Sequence, residues 1–184
     1  MLITRSAQES HLYMDLHPCG CGANRFDREH RVEDHEGVLV SVYEGACPEC
    51  GRTRVFEFVF SDDQPVAPPA FGGPEPSRII DPGEFLWVSE RLSTESSLRL
   101  LNTPPAEQRE IRPSVAYGAA ALEEVIKFLP EGADRIPRDL FTSDLGREKY
   151  EKDPSRFTLK DLTAALKLDR DVLAGIDHLS PPLG

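Results

Sequence analysis

Two short cysteine pairs are the residues of this chain best placed to do chemistry. They read His17-Pro18-Cys19-Gly20-Cys21-Gly22 and Ala46-Cys47-Pro48-Glu49-Cys50-Gly51. Thiolates are soft ligands, and four of them suit a d10 ion such as Zn2+, which accepts tetrahedral sulfur coordination and does no redox chemistry. A reducing compartment disfavours a disulfide framework, so clustered pairs read as a metal site. The expected ligands are Cys19, Cys21, Cys47 and Cys50, with zinc as a structural cofactor. Four protein ligands leave no open position for water or substrate, which argues against a catalytic ion. His17, two residues before Cys19, stands as an alternative to Cys21, giving three sulfurs and one nitrogen.

The spacing of the second pair, with cysteines at i and i+3 and a following Gly51, resembles the knuckle of the zinc-ribbon fold group. The first pair departs from that pattern, because one residue separates its cysteines where a ribbon has two to four. The resemblance covers residues 14 to 60 and implies a three-stranded antiparallel sheet with the metal at one end. The intervening residues point the same way. Arg25 to Val32 can run as a strand, Asp34-His35-Glu36-Gly37 supplies a turn, and Val38 to Tyr43 is rich in β-branched and aromatic residues. Thr53 to Phe60 alternates as a third strand.

Other zinc chemistry fits less well. A zinc deaminase needs His-x-Glu followed by Pro-Cys-x-x-Cys. Here Ala46 precedes Cys47, and Val32 stands two residues after His30. His11, His30 and His35 read as solvated strand or turn residues, and His178 carries no motif.

The elements beyond the cysteines divide the chain. Residues 1–60 form the expected metal-bearing domain, 61–77 a Pro/Gly-rich linker or strap, and 78–184 an α-helical domain. Asp81-Pro82-Gly83-Glu84 combines an N-cap acid, Pro at the first helical position and Glu at the third, and opens a helix over Phe85 to Arg91. Leu98, Leu100 and Leu101 suggest a second short helix, and Thr103-Pro104-Pro105 another start. The most regular helix runs from Pro113 to Phe128, with Glu123 and Lys127 four apart as a supporting ion pair. A short helix is expected within Phe141 to Tyr150. A final one opens at Thr158, with Leu159, Leu162, Ala165, Leu166, Val172 and Leu173 at core spacing. Ile79, Ile80, Phe85 and Trp87 are candidate anchors for the strap, and residues 180–184 read as a frayed tail. The fold class is therefore α+β.

Charge limits the partners. The 184 residues carry 21 Lys and Arg against 32 Asp and Glu, a net −11, spread as −1 over residues 1–16, −3 over 17–60, −3 over 61–76 and −4 over 77–184. Such a field repels nucleic-acid backbones and anionic lipid. Met1 to Glu9 lacks the apolar stretch of a secretory leader, and no run approaches the ~18 apolar residues of a membrane span. The expected location is the cytoplasm. Residues 78–184 contain no Gly-rich phosphate loop, Gly-x-Ser-x-Gly elbow or His-Glu-x-x-His helix, so the expectation is a protein that is not an enzyme. The leading expectation is a zinc-stabilised protein–protein interaction module for a basic protein partner, in one version an acidic inhibitor of the immunity type. The alternatives are a transcription-associated ribbon that binds nucleic acid and a hydrolase using carboxylates of the helical domain.

Overall fold

The computed structural model describes residues 1–61 and 66–179. Readings of residues 62–65 in the strap and of the tail at 180–184 lie outside them. The described residues hold, in order, β1 (Leu2–Thr4), α1 (Ala7–Leu16), β2 (Glu29–His35), β3 (Val38–Ala46), β4 (Thr53–Phe60), α2 (Pro82–Asn102), α3 (Arg112–Ile126), α4 (Asp144–Lys152) and α5 (Leu159–Leu179). Short 3-10 turns lie at Pro105–Ile111, Arg138–Leu140 and Pro154–Phe157. The class is α+β, and the chain falls into two compact units, Met1–Ile80 and Asp81–Gly184.

The sheet of the first unit corrects the expectation of three antiparallel strands. It has four, in the order β1-β4-β3-β2, and β1 runs parallel to β4 with Leu2 opposite Phe58. β2, β3 and β4 form the expected antiparallel meander. Its first strand begins at Glu29 instead of Arg25, for a steric reason. A side chain at Gly45 would meet the Asp27 carbonyl oxygen at 1.8 Å, so residues 26–27 cross close over β3 where a strand would lie beside it. Phe26 turns inward there and joins Met14, Tyr43 and Phe58 in the core, with Leu2, Tyr13, Phe56 and Ile79 packed around them. Burying each of these large side chains is worth ~1.5 to 3 kcal/mol, which holds α1 on this face of the sheet.

α1 and β1 were not expected from the sequence. Ser6 caps α1 by accepting the Glu9 N–H at 3.1 Å. Glu9, wholly buried, accepts from the Arg5 backbone N–H at 2.6 Å and from Arg5 Nη2 at 2.6 Å. Arg5 Nη1 donates to the Glu75 carbonyl, and Ser6 Oγ donates to the Phe71 carbonyl at 2.6 Å. This buried network fastens residues 71–75 to the start of the chain.

In the second unit the capping box at Asp81 is present, but its helix runs without a break to Asn102 and absorbs the separate helix expected around Leu98. Thr103-Pro104-Pro105 opens a 3-10 turn in place of an α-helix. Lys127 pairs with Glu124 at 2.6 Å and Glu123 with Arg170 of α5 at 2.8 Å, replacing the expected Glu123–Lys127 pair. α5 buries Leu162, Leu166 and Ile176, while Leu159 stays exposed at its first position. Val172 and Leu173 pack on Ile111, Val115 and Ile176.

The start of α2 is a tight junction. Asp81 Oδ1 accepts the N–H groups of Gly83 and Glu84, while Oδ2 accepts those of Thr142 and Ser143 just before α4. A side chain at Gly83 would meet Gly146 Cα at 2.5 Å, and one at Gly146 would meet Asp81 Oδ2 at 2.2 Å, so α2 and α4 touch through bare backbone. Glu84 is buried beside them and accepts the Asp81 N–H at 3.0 Å. Burial, aided by the nearby Asp81 charge and only partly offset by that hydrogen bond, pushes the Glu84 carboxyl up to about 7 from its ordinary 4.5. The folded protein thus holds this proton more tightly than the unfolded chain. Its stabilising contribution is complete below pH ~4.5 and is lost as pH rises through 7. Glu84→Gln, whose amide oxygen still accepts the Asp81 N–H, should be more stable than wild type at pH 8 by up to about 3 kcal/mol. Urea titrations at pH 5 and pH 8 check this, since the advantage should nearly vanish at the lower pH.

Candidate metal centre

The two cysteine pairs sit at the ends of structural elements that the core already fixes. Cys19 follows the C-terminus of α1, and Cys47 and Cys50 occupy the connection between β3 and β4. At the first pair, Cys19 N–H donates to the Ala23 carbonyl at 2.7 Å and Gly22 N–H to the Cys19 carbonyl at 2.7 Å. At the second, Cys47 N–H donates to Arg52 O at 2.9 Å and Gly51 N–H to Cys47 O at 2.8 Å. Gly22 (φ 94°) and Gly51 (φ 70°) close these turns in the left-handed region that glycine adopts without strain.

These turns bring all four sulfurs within 4.8 Å of one another, an arrangement that could hold a metal ion. Cys19 Sγ lies 3.7 Å from Cys50 Sγ, and Cys21 Sγ lies 3.5 Å from Cys47 Sγ. Four sulfurs placed tetrahedrally ~2.3 Å from one zinc would be ~3.8 Å apart, so the donor set fits such an ion. Cys19 and Cys47 are buried, while Cys21 and Cys50 form the outer side.

Backbone N–H groups aim at the sulfurs. The Cys21 N–H is the main influence on Cys19 and holds its thiol below the ordinary 9.0. At Cys47 desolvation pushes upward, but the N–H groups of Cys50 and Glu49 and the Cys21 thiol together pull it down to about 7. At Cys50 the Arg52 N–H pulls downward, yet crowding by the sulfurs of Cys21, Cys19 and Cys47 drives it up to about 11. Bare thiolates repel one another at this separation, and N–H donors directed at sulfur disperse their charge.

His17 is not among the side chains that converge at the sulfurs. Its ring stacks on Tyr13 with centroids 3.8 Å apart, and Nδ1 donates to the Tyr13 carbonyl at 2.8 Å. His17→Ala should therefore leave metal content unchanged and cost about 1 kcal/mol or less, as checked by elemental analysis and thermal unfolding. His30 stacks on Tyr43, and His35 Nε2 lies 2.9 Å from Glu33.

Arg54, which the sequence did not single out for support of this site, ties its parts together. It is buried, with its guanidinium 4.4 Å from the Phe26 ring centre and 5.1 Å from that of Phe56. Its Nη2 donates to the Met14 carbonyl at 3.4 Å and to the His17 carbonyl. A cation at these carbonyls complements the C-terminal end of α1 and sets the first cysteine pair against β4.

Basic residues around the site are largely consumed internally. Arg28 pairs with Asp15, and Arg31 pairs with both Glu33 at 2.6 Å and Glu44 at 2.8 Å. A cleft of about 640 Å³ beside Cys47 and Pro48 sets Arg25 and Arg28 against Asp15 and Asp27. Among the described residues, no helix is long and apolar enough to cross a membrane. Compared with protein-family models, curated proteins and solved structures, the chain matches none of them.

Proposed function

We propose that this chain is a non-enzymatic protein–protein interaction module whose first unit is a zinc-ribbon-like platform, locked by Zn2+ on Cys19, Cys21, Cys47 and Cys50. The observation that carries the reading is the convergence of four sulfurs within 4.8 Å, a complete ligand set contributed by the protein itself. A closed thiolate site stabilises a fold and leaves no coordination position for a substrate. A sheet of this size gains from the ion what its small core does not supply.

The partner in this reading is a basic protein, because the net charge of −11 would speed its capture. An acidic cognate inhibitor of the immunity type is the specific version. A nucleic-acid partner is less well supported: Arg28 and Arg54 are spent on internal contacts, Arg31 already faces the carboxylates of Glu33 and Glu44, and the net charge over residues 17–60 is −3. A carboxylate hydrolase is also less well supported, since the buried acids Asp81 and Glu84 use their oxygens to cap α2 and to join it to α4.

The test is affinity capture with the zinc-loaded chain, run beside chelator-treated protein and Cys47→Ser. Support would be a basic protein bound in fixed stoichiometry by the loaded form, lost from both controls, and rebinding when purified. Binding of DNA or RNA that falls steeply with salt, or an enriched preparation without transition metal, would reject the reading.

A further inference from the structure

We propose that the exposed edge of the sheet, strand β2, pairs with β2 of a second copy of this chain about a two-fold axis at Val32. The inference stands apart from the metal-centre reading and concerns a different surface.

β2 closes one side of the sheet, and its residues are exposed apart from the half-buried Glu33. The β2–β3 turn has two central residues, Glu36 (φ 57°) and Gly37 (φ 90°), between the paired His35 and Val38. In such a two-residue turn the flanking pair exchanges hydrogen bonds, and bonded and non-bonded pairs then alternate along the ladder. Glu29, Arg31, Glu33 and His35 therefore direct their peptide groups at β3. His30, Val32 and Asp34 direct theirs outward, where a further strand would find them.

The sequence of β2, Glu-His-Arg-Val-Glu-Asp-His, is complementary to itself when reversed. Antiparallel pairing centred on Val32 sets Val32 on Val32, Arg31 on Glu33, His30 on Asp34 and Glu29 on His35. The pairing maps the outward set His30, Val32 and Asp34 onto itself, so backbone bonding and side-chain charge select the same register. It also keeps each side chain on its own face of the extended sheet. Opposite charges directly across an antiparallel pair stabilise it, and like charges oppose it.

Glu33 faces Arg31 through Oε1 and His35 through Oε2, so it would receive the second copy's Arg31 on the remaining lone pairs of these oxygens. Arg31 holds Glu33 through Nε and Glu44 through Nη1, leaving Nη2 directed to neither. Asp34 uses Oδ1 on the Gly37 N–H, and Oδ2 remains for the second copy. Val32, 57% exposed, would meet its own copy at the seam and lose water. A two-fold axis makes the contact isologous and closed, so it ends at a dimer. An interface of one strand per copy is small, and a dissociation constant on the order of 10 to 100 µM is expected.

Sedimentation equilibrium across protein concentration provides the test, with circular dichroism and metal content followed in parallel. Wild type should dimerise. Arg31→Glu sets Glu against Glu and Glu33→Arg sets Arg against Arg, so each variant should be a monomer. An equimolar mixture of the two restores both opposite pairs and should recover a heterodimer. Val32→Pro removes only an outward N–H and should be a folded monomer, so it carries the test if a charge variant loses its fold. Wild type that stays monomeric at ~1 mM would overturn the proposal. So would a dimer that survives Val32→Pro, or a mixture of folded charge variants that stays monomeric.

Discussion

Replacing Cys47 by Ser should abolish stoichiometric zinc binding and unfold the first unit at a temperature lower by about 20 °C or more. Cys47 Sγ is buried, lies 3.5 Å from Cys21 Sγ, and has the N–H groups of Glu49 and Cys50 directed at it. A serine hydroxyl stays protonated at neutral pH and cannot replace a thiolate. Structural zinc supplies ~10 to 16 kcal/mol of apparent binding free energy in finger peptides, more than the margin by which a small sheet is folded. Losing one of four ligands forfeits several kcal/mol of that, and each kcal/mol moves the midpoint of a domain of this size by about 4 to 8 °C. Elemental analysis and amide hydrogen exchange give the readout. Protection should fall along β3 and β4 while the second unit keeps its own. Unchanged metal content with an unaltered melting curve would remove the basis of the proposed metal centre.

The second large effect is expected at Asp81. Asp81→Ala should destabilise the second unit by about 4 kcal/mol. Loss of an N-cap costs ~0.5 to 2 kcal/mol, and the Thr142 and Ser143 N–H groups that also bond this carboxylate would each lose a charged acceptor worth ~1 to 3 kcal/mol. Both oxygens are engaged, Oδ1 with Gly83 and Glu84 and Oδ2 with Thr142 and Ser143. Asp81→Asn keeps a single acceptor oxygen, so it should serve one helix start and fall between Ala and wild type. Trp87 is the only tryptophan and lies in α2, so its fluorescence reports this transition in a denaturant titration. A loss below ~1 kcal/mol for Asp81→Ala would show that the junction of α2 and α4 does not depend on this carboxylate.

Much of the candidate site was readable from local patterns. The cysteine spacing with its trailing glycines marked both turns, and Val38 and Thr53 began their strands where alternation placed them. The fourth ligand position was ambiguous because His17 and Cys21 are equally near Cys19 in sequence. The structure gathers Cys21, and not His17, with the other three sulfurs, and that placement depends on where α1 ends. α1 itself was missed although Ser6-Ala7-Gln8-Glu9 has capping-box spacing, because its apolar residues are few and its buried side includes Glu9 and Ser10. Nothing in the sequence sets Arg54 apart from the rest of the Thr53 to Phe60 strand. Its burial under two aromatic rings depends on Phe26, which the crossing over Gly45 turns inward.

The sequence by itself determined the pieces: two cysteine turns, the strands between and after them, the capped start of α2, and a net charge of −11. These follow from interactions between residues a few positions apart, which spacing and residue type express directly. The tertiary structure alone decided that four sulfurs meet, that β1 joins β4 in parallel, that Asp81 serves two helices, and that β2 is left as an open edge. Such pairings join residues tens of positions apart, and they are selected by which buried surfaces and backbone groups can be satisfied together in three dimensions.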